Sequence, residues 1–140
     1  MKSKLLMSLV AGVCLLCSQS GPSAAIVANL ADAHWTHEAG GSESVILRED
    51  PRTGAMELLA RYPAGHVFPP HWHGVNERII LLEGRLSPKQ DGRERFLDPG
   101  GFAYLPAREV QRLSCVSQTR CTFYAYWDGK LDFHAAGDAK

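Results

Sequence analysis

Between residues 44 and 127 the chain alternates short apolar runs with glycine, proline or Asp-Gly breaks every six to ten residues. Ser44–Arg48 reads as a first strand, and residues 49–54 as its turn. From Met56 to Tyr62 the period is two: Met56, Leu58, Ala60 and Tyr62 share one face, Glu57 and Arg61 the other. The run Glu77–Leu82 is apolar on both faces, with Glu77, Ile79 and Leu81 against Arg78, Ile80 and Leu82. Such a strand is covered on both sides; the outer cover is either the N-terminal arm or a second subunit of a homodimer. Arg85–Leu97 predicts a hairpin about Asp91-Gly92, with Lys89 opposite Glu94 and Leu86 opposite Leu97. Pro88 suits a sheet edge. Residues 98–101 form a further turn, Phe102–Leu105 a short strand ended by Pro106, and Glu109–Val116 with Cys121–Trp127 a last hairpin centred on Gln118. Eight or so short strands without a helix predict an all-β sandwich or small barrel.

Composition narrows this picture. A chain of 140 residues, 45% hydrophobic and 21% charged, is one domain with a real core. Its formal charge of +0 argues against a nucleic-acid footprint or a membrane-surface patch. Lys2 and Lys4, the apolar run Leu5–Cys17 and the small residues Ser23-Ala24-Ala25 have the pattern of a signal peptide over residues 1–25. Its removal leaves no stable membrane span and implies a periplasmic or secreted protein. The remainder divides into an N-terminal arm and first strand (26–54), a barrel (55–127) and a short polar tail (128–140). Only Cys115 and Cys121 then remain. The Gln118-centred hairpin sets them across from each other, which predicts a disulfide.

The chemistry concentrates in residues 65–84. His71 and His73 are two apart, so an extended backbone points both rings to one face, and Glu77 follows four residues later. Two imidazoles and a carboxylate are a donor set for a divalent metal. His34 and His37 are candidates for a second metal pair, but three apart they align only on a helix, and they read instead as part of an arm that packs Trp35 on the barrel.

Gly65, five residues, His71-Trp72-His73, three residues, Glu77, six residues and Gly84 resemble the first motif of the cupin superfamily. Gly100, five residues and Pro106 resemble the second, but Arg108 stands at its later glycine and Gln111 at its histidine ligand. The resemblance covers Met56 to Tyr126. It implies a small single-domain protein with the cupin-type double-stranded β-helix, a jelly-roll-like barrel, with His71, His73 and Glu77 converging inside. Where the family has three histidines and one glutamate, this chain offers two histidines, a carboxylate and an amide. The implied cofactor is a divalent ion, iron(II), manganese(II), zinc(II) or nickel(II), held by His71, His73 and Glu77. Gln111 would take the fourth position or hydrogen-bond to metal-bound water or substrate. Two histidines and a carboxylate make a facial set suited to oxygenase-type chemistry on an organic acid, phenolic or sugar-like molecule. The alternatives are a non-enzymatic metal- or small-ligand-binding module, a metal-dependent isomerase or lyase, and a barrel that has lost its metal. Tyr62 or Tyr104 is a candidate proton donor. Phe68 and Trp72 are candidates for a pocket mouth, His66 for a partner behind the ligands, and Arg108 and Arg112 for binding an anion. Strand parity points Gln111, Leu113 and Cys115 inward and Arg112 outward.

Overall fold

The structure, a computed structural model, describes residues 24–137. The expected leader lies almost wholly outside the described residues. Among the described residues eleven strands follow one another: β1 (Thr36–His37), β2 (Glu43–Glu49), β3 (Met56–Tyr62), β4 (Val67–Trp72), β5 (Glu77–Glu83), β6 (Leu86–Gln90), β7 (Arg93–Glu94), β8 (Phe102–Leu105), β9 (Gln111–Cys115), β10 (Cys121–Trp127) and β11 (His134–Ala135). They form two antiparallel sheets, one in the order β1-β2-β3-β10-β5-β8 and the other β11-β4-β9-β6-β7. The all-β class and the two-sheet jelly-roll barrel are those expected.

The core lies between the sheets. Ile79, Leu81, Leu86 and Cys121 are fully enclosed, with Leu58, Ala60, Leu113, Phe123 and Ala125 beside them. These are the inward positions of a period-two pattern, and burying them supplies the main driving force for folding. The Asp91-Gly92 hairpin forms in the predicted register, Lys89 opposite Glu94 and Leu86 bridged to Leu97. Asp91 and Gly92 both take positive φ, 56° and 70°, as a tight two-residue turn requires. Pro88 is not on an edge strand, because β6 lies between β9 and β7. It falls in the gap between the Leu86–Leu97 bridge and the Lys89–Glu94 pair, where the outer ladder needs no donor.

The last hairpin is a correction. β9 pairs with β4 and β6 in one sheet, whereas β10 pairs with β3 and β5 in the other. Residues 116–120 therefore cross between sheets. The Cys115–Cys121 disulfide forms as expected, but it ties the two sheets together at one end of the barrel. Gly84 sits against this tie: a Cβ there would lie 2.6 Å from the Arg120 carbonyl oxygen and 3.0 Å from Cys121 Sγ, and its φ is +85°. Only glycine fits both demands.

Outside the barrel, Trp35 stacks under the Arg61 guanidinium at 3.7 Å, as the reading of the arm anticipates. Residues 26–34 run along the outer side of β2, β3, β5 and β10 and leave an apolar groove lined by Ile26, Leu30, Ile46, Ile80 and Leu82. The arm does not complete the cover, since Ile80 and Leu82 stay 40% and 44% exposed.

Candidate functional site

β4 carries the first ligand candidates through a local irregularity. It pairs with β9 at Val67–Ser114 and Phe68–Leu113, then slips, so that His71 faces Gln111. The slip spans Pro69-Pro70, which have no N–H to give the ladder. It resets the alternation, and Phe68 and His71 line the same cavity although they are three residues apart. Trp72 falls on the opposite face, stacked on the His134 ring at 3.9 Å between centroids, and is no part of the mouth.

The two imidazoles are aimed from behind. His71 Nδ1 donates to the Pro69 carbonyl at 2.8 Å, and His73 Nδ1 donates to the Asp132 carbonyl. Each ring therefore turns an Nε2 lone pair inward, and these two nitrogens stand 3.2 Å apart. His73 Nε2 is 3.7 Å from Glu77 Oε2. Gln111 Nε2 donates to that same oxygen and lies 3.4 Å from His71 Nε2. All four side chains are buried. The structure thus brings His71, His73, Glu77 and Gln111 into one cluster.

Three acceptor atoms facing one another, with a single amide as their donor, make a place for a positive charge. Metal–nitrogen bonds of about 2.0–2.1 Å put neighbouring ligand nitrogens about 3.0–3.4 Å apart, so the imidazole pair has the right spread. Even so, no group of three or more His, Cys, Asp or Glu side chains among the described residues forms a ready metal cage. The donor distances explain this result. The two imidazole nitrogens converge, while Glu77 Oε2 stands 3.7 Å from His73 Nε2 and accepts the Gln111 amide.

Burial sets the protonation of the cluster. It pushes the Glu77 carboxyl up to about 7, against the Gln111 hydrogen bond, which favours the charged form. It pulls His71 down to about 4 and lowers His73 as well, in each case against the hydrogen bond on Nδ1. Apart from Glu77, the floor is neutral near pH 7.

Above the floor is a cavity of about 350 Å³, walled by Leu58, Tyr62, Phe68, Phe123, Trp127 and Phe133. Tyr62 is the better placed of the two candidate proton donors. Tyr104 lies outside and donates to Asn76 Oδ1 at 2.9 Å. His66 rests against the Tyr62 ring at 4.5 Å, and among the described residues no hydrogen bond or ring contact joins it to the ligand candidates. Arg108 and Arg112 are exposed and absent from the cavity wall. Gln111, Leu113 and Cys115 do point inward. Arg108 contributes through its backbone: at a φ of +63° its N–H donates to the His73 carbonyl at 2.8 Å. The glycine-like conformation is kept where the glycine is not.

The tail holds what sequence reasoning missed. Leu131, Asp132 and Phe133 close one side of the cavity. β11 pairs with β4 at His134–Trp72 and Ala135–His71, and Asp132 Oδ1 accepts the Gly74 N–H at 2.7 Å. A two-residue strand in a polar tail has no periodicity to read; Leu131 and Phe133 were its only signal.

Comparison with known proteins agrees with this fold. A protein of Arabidopsis thaliana named DNA damage-repair/toleration protein DRT102 is 28% identical over 95 residues, 66% of this chain; the match spans 28% of that protein's length. Among solved structures, KdgF from Halomonas sp. superposes with a TM-score of 0.66 at 17% identity, covering 76% of this chain and 94% of KdgF. The polyketide cyclase RemF from Streptomyces resistomycificus gives 0.66 at 18%, covering 81% and 87%. At such identities the likeness is one of fold. Residues 23–128 match the ChrR cupin-like domain, and the chain is a member of that cupin family.

Proposed function

We propose that this chain is a small-molecule cupin whose floor, His71, His73 and Glu77, holds a divalent metal beside the cavity, with Gln111 as an adjustable fourth partner. The observation that carries this reading is the pair of backbone carbonyls, of Pro69 and Asp132, that fix both imidazoles with Nε2 turned inward. A bound divalent ion would supply Lewis-acid polarisation of a ligand oxygen.

The chain's own residues suit proton transfer. Without a metal, Glu77 is raised to about 7 by burial and keeps a proton at the cavity floor, which it gives up on becoming a ligand. Burial raises the Tyr62 phenol above its ordinary value, so it stays an O–H group at the cavity wall. Phe68, Phe123, Trp127 and Phe133 exclude water around these two groups. This favours the isomerase or lyase class over oxygenase-type chemistry. RemF, described as a polyketide cyclase, is an enzyme on the same fold. The second reading, a binding module, is favoured by one contact: the Gln111 amide already covers Glu77 and lies beside His71.

Elemental analysis of protein reconstituted anaerobically with iron(II), manganese(II), zinc(II) or nickel(II) tests the site. About one ion per chain is expected, lost in His73→Ala, while Gln111→His should tighten binding by restoring a strong donor. Full metal content in His73→Ala would sink the reading. We further propose export to the periplasm or beyond, supported by the leader-like pattern of residues 1–25. N-terminal sequencing of protein recovered from that compartment should begin at Ile26, and retention of Met1 there would reject cleavage.

A further inference from the structure

The cavity has a charge character that its floor does not require. Glu38, Glu43 and Asp132 stand on its wall and rim, and neither lysine nor arginine is among its lining residues. Two of these carboxylates have basic neighbours. Glu43 lies between Arg61 Nη1 at 3.7 Å and His37 Nδ1 at 3.0 Å, and Asp132 Oδ2 lies 2.9 Å from His134 Nε2. Glu38 accepts the Ser44 hydroxyl at 2.8 Å and has no ion pair among the described residues. A second observation is independent of charge. The Tyr62 side chain is more than nine-tenths buried, at 8% exposure, and lines the cavity, yet among the described residues its hydroxyl has no hydrogen-bond partner. A hydroxyl without a protein partner that opens on a cavity is free to pair with what binds there. Tyr62 is also within electrostatic reach of both Glu77 on the floor and Glu38 on the rim.

We propose that the cavity selects an organic monocation with an apolar body, of the arylalkylamine class. Its body lies among Phe68, Phe123, Trp127 and Phe133, its ammonium turns toward Glu38, and the Tyr62 oxygen accepts an ammonium N–H. The proposal rests on the small-molecule reading above and adds the charge of the ligand. Three features converge on one class: carboxylates at the rim attract a cation and repel an anion, aromatic faces favour a cation beside them, and the hydroxyl accepts as readily as it donates. The volume of about 350 Å³ suits a small molecule. An organic acid, one of the substrates the sequence suggested, meets like charge at the entrance.

The test uses the full chain and three probes of one shape: phenethylammonium, 2-phenylethanol and phenylacetate, titrated calorimetrically at neutral pH and low salt. Amide chemical shifts locate each bound probe. Phenethylammonium should bind about tenfold more tightly than phenylacetate, with the alcohol between them. Glu38→Gln should shrink that ratio to about threefold and leave the alcohol unchanged. Tyr62→Phe should weaken the ammonium by about fivefold. Raising the salt should narrow the ratio in wild type and much less in Glu38→Gln. Equal or anion-favouring affinities, with shifts at the cavity residues, overturn the charge selectivity and leave the small-molecule site standing. Failure of all three to bind up to roughly 10 mM overturns both.

Discussion

At the scale of residues, the cluster ties protonation to folding in two opposing directions. Glu77 is raised to about 7 from 4.5, so its contribution to stability is complete below pH 4.5 and is lost as pH climbs through 7. His71 is depressed to about 4 from 6.5 and His73 moves the same way, so their contributions are present above pH 6.5 and lost on acidification. Between pH 4.5 and 6.5 the unfolded chain holds the two histidine protons, whereas the folded chain has given up that of His71, holds that of His73 less firmly and keeps the one on Glu77. Stability of the metal-free protein should therefore rise with pH by about one proton's worth, roughly 1.4 kcal/mol per unit at most. In Glu77→Gln the folded cluster loses the Glu77 proton, and the slope should steepen by about one proton's worth. Urea midpoints measured across this range in the presence of a chelator check it; an unchanged slope would mean that Glu77 is ionised throughout. His71, His73, Glu77 and Gln111 could each be located in the sequence, because two-residue parity and the motif spacing place them. Their protonation could not, since it depends on burial by residues up to 60 positions away.

At the scale of elements, the chain segments near 70 and 130 make the site together. Pro69-Pro70 introduces the slip that turns both Phe68 and His71 inward, and Asp132, just before β11, supplies the carbonyl that orients His73. Parity alone would have put Phe68 and His71 on opposite faces. It takes the ladder register to show otherwise, because a bulge depends on the partner strand. The cysteines teach the same lesson. Cys115 and Cys121 are close in sequence, and a hairpin explains that closeness as well as a crossing does; only the pairing of β9 and β10 with different neighbours separates the two. Since the disulfide closes a short loop, reduction should cost about 2 kcal/mol and leave the fold intact. Denaturant unfolding with and without reductant measures this, and a thiol titration of denatured, unreduced protein should find neither cysteine free.

At the scale of the molecule, the outer surface of the larger sheet is unfinished. Ile46, Ile80 and Leu82 remain exposed beside the arm, and Phe102, which pairs with Ile80, extends the patch. A contiguous apolar face of this kind is characteristic of association, and a second copy of the chain is the proposed cover. Light scattering should give twice the chain mass and Ile80→Arg a monomer; a monomeric wild type rejects the dimer. The alternating pattern was enough to specify two β-sheets and their core, because period-two burial is a local property of each strand. Motif spacing was enough to single out two histidines and a glutamate, since all three lie within seven consecutive residues, although Glu77 meets His71 from the facing sheet. What required the folded chain were the long-range pairings: the tail strand against β4, the sheet crossing at the disulfide, the Gln111 amide against Glu77, and Glu38 on the same cavity wall as Tyr62. These contacts join residues 6 to about 60 positions apart, and no local preference encodes which of many such meetings burial and hydrogen bonding will select. They also decide the chemistry, because they set the aim of each imidazole, the charge on the carboxylate and the character of the cavity above them.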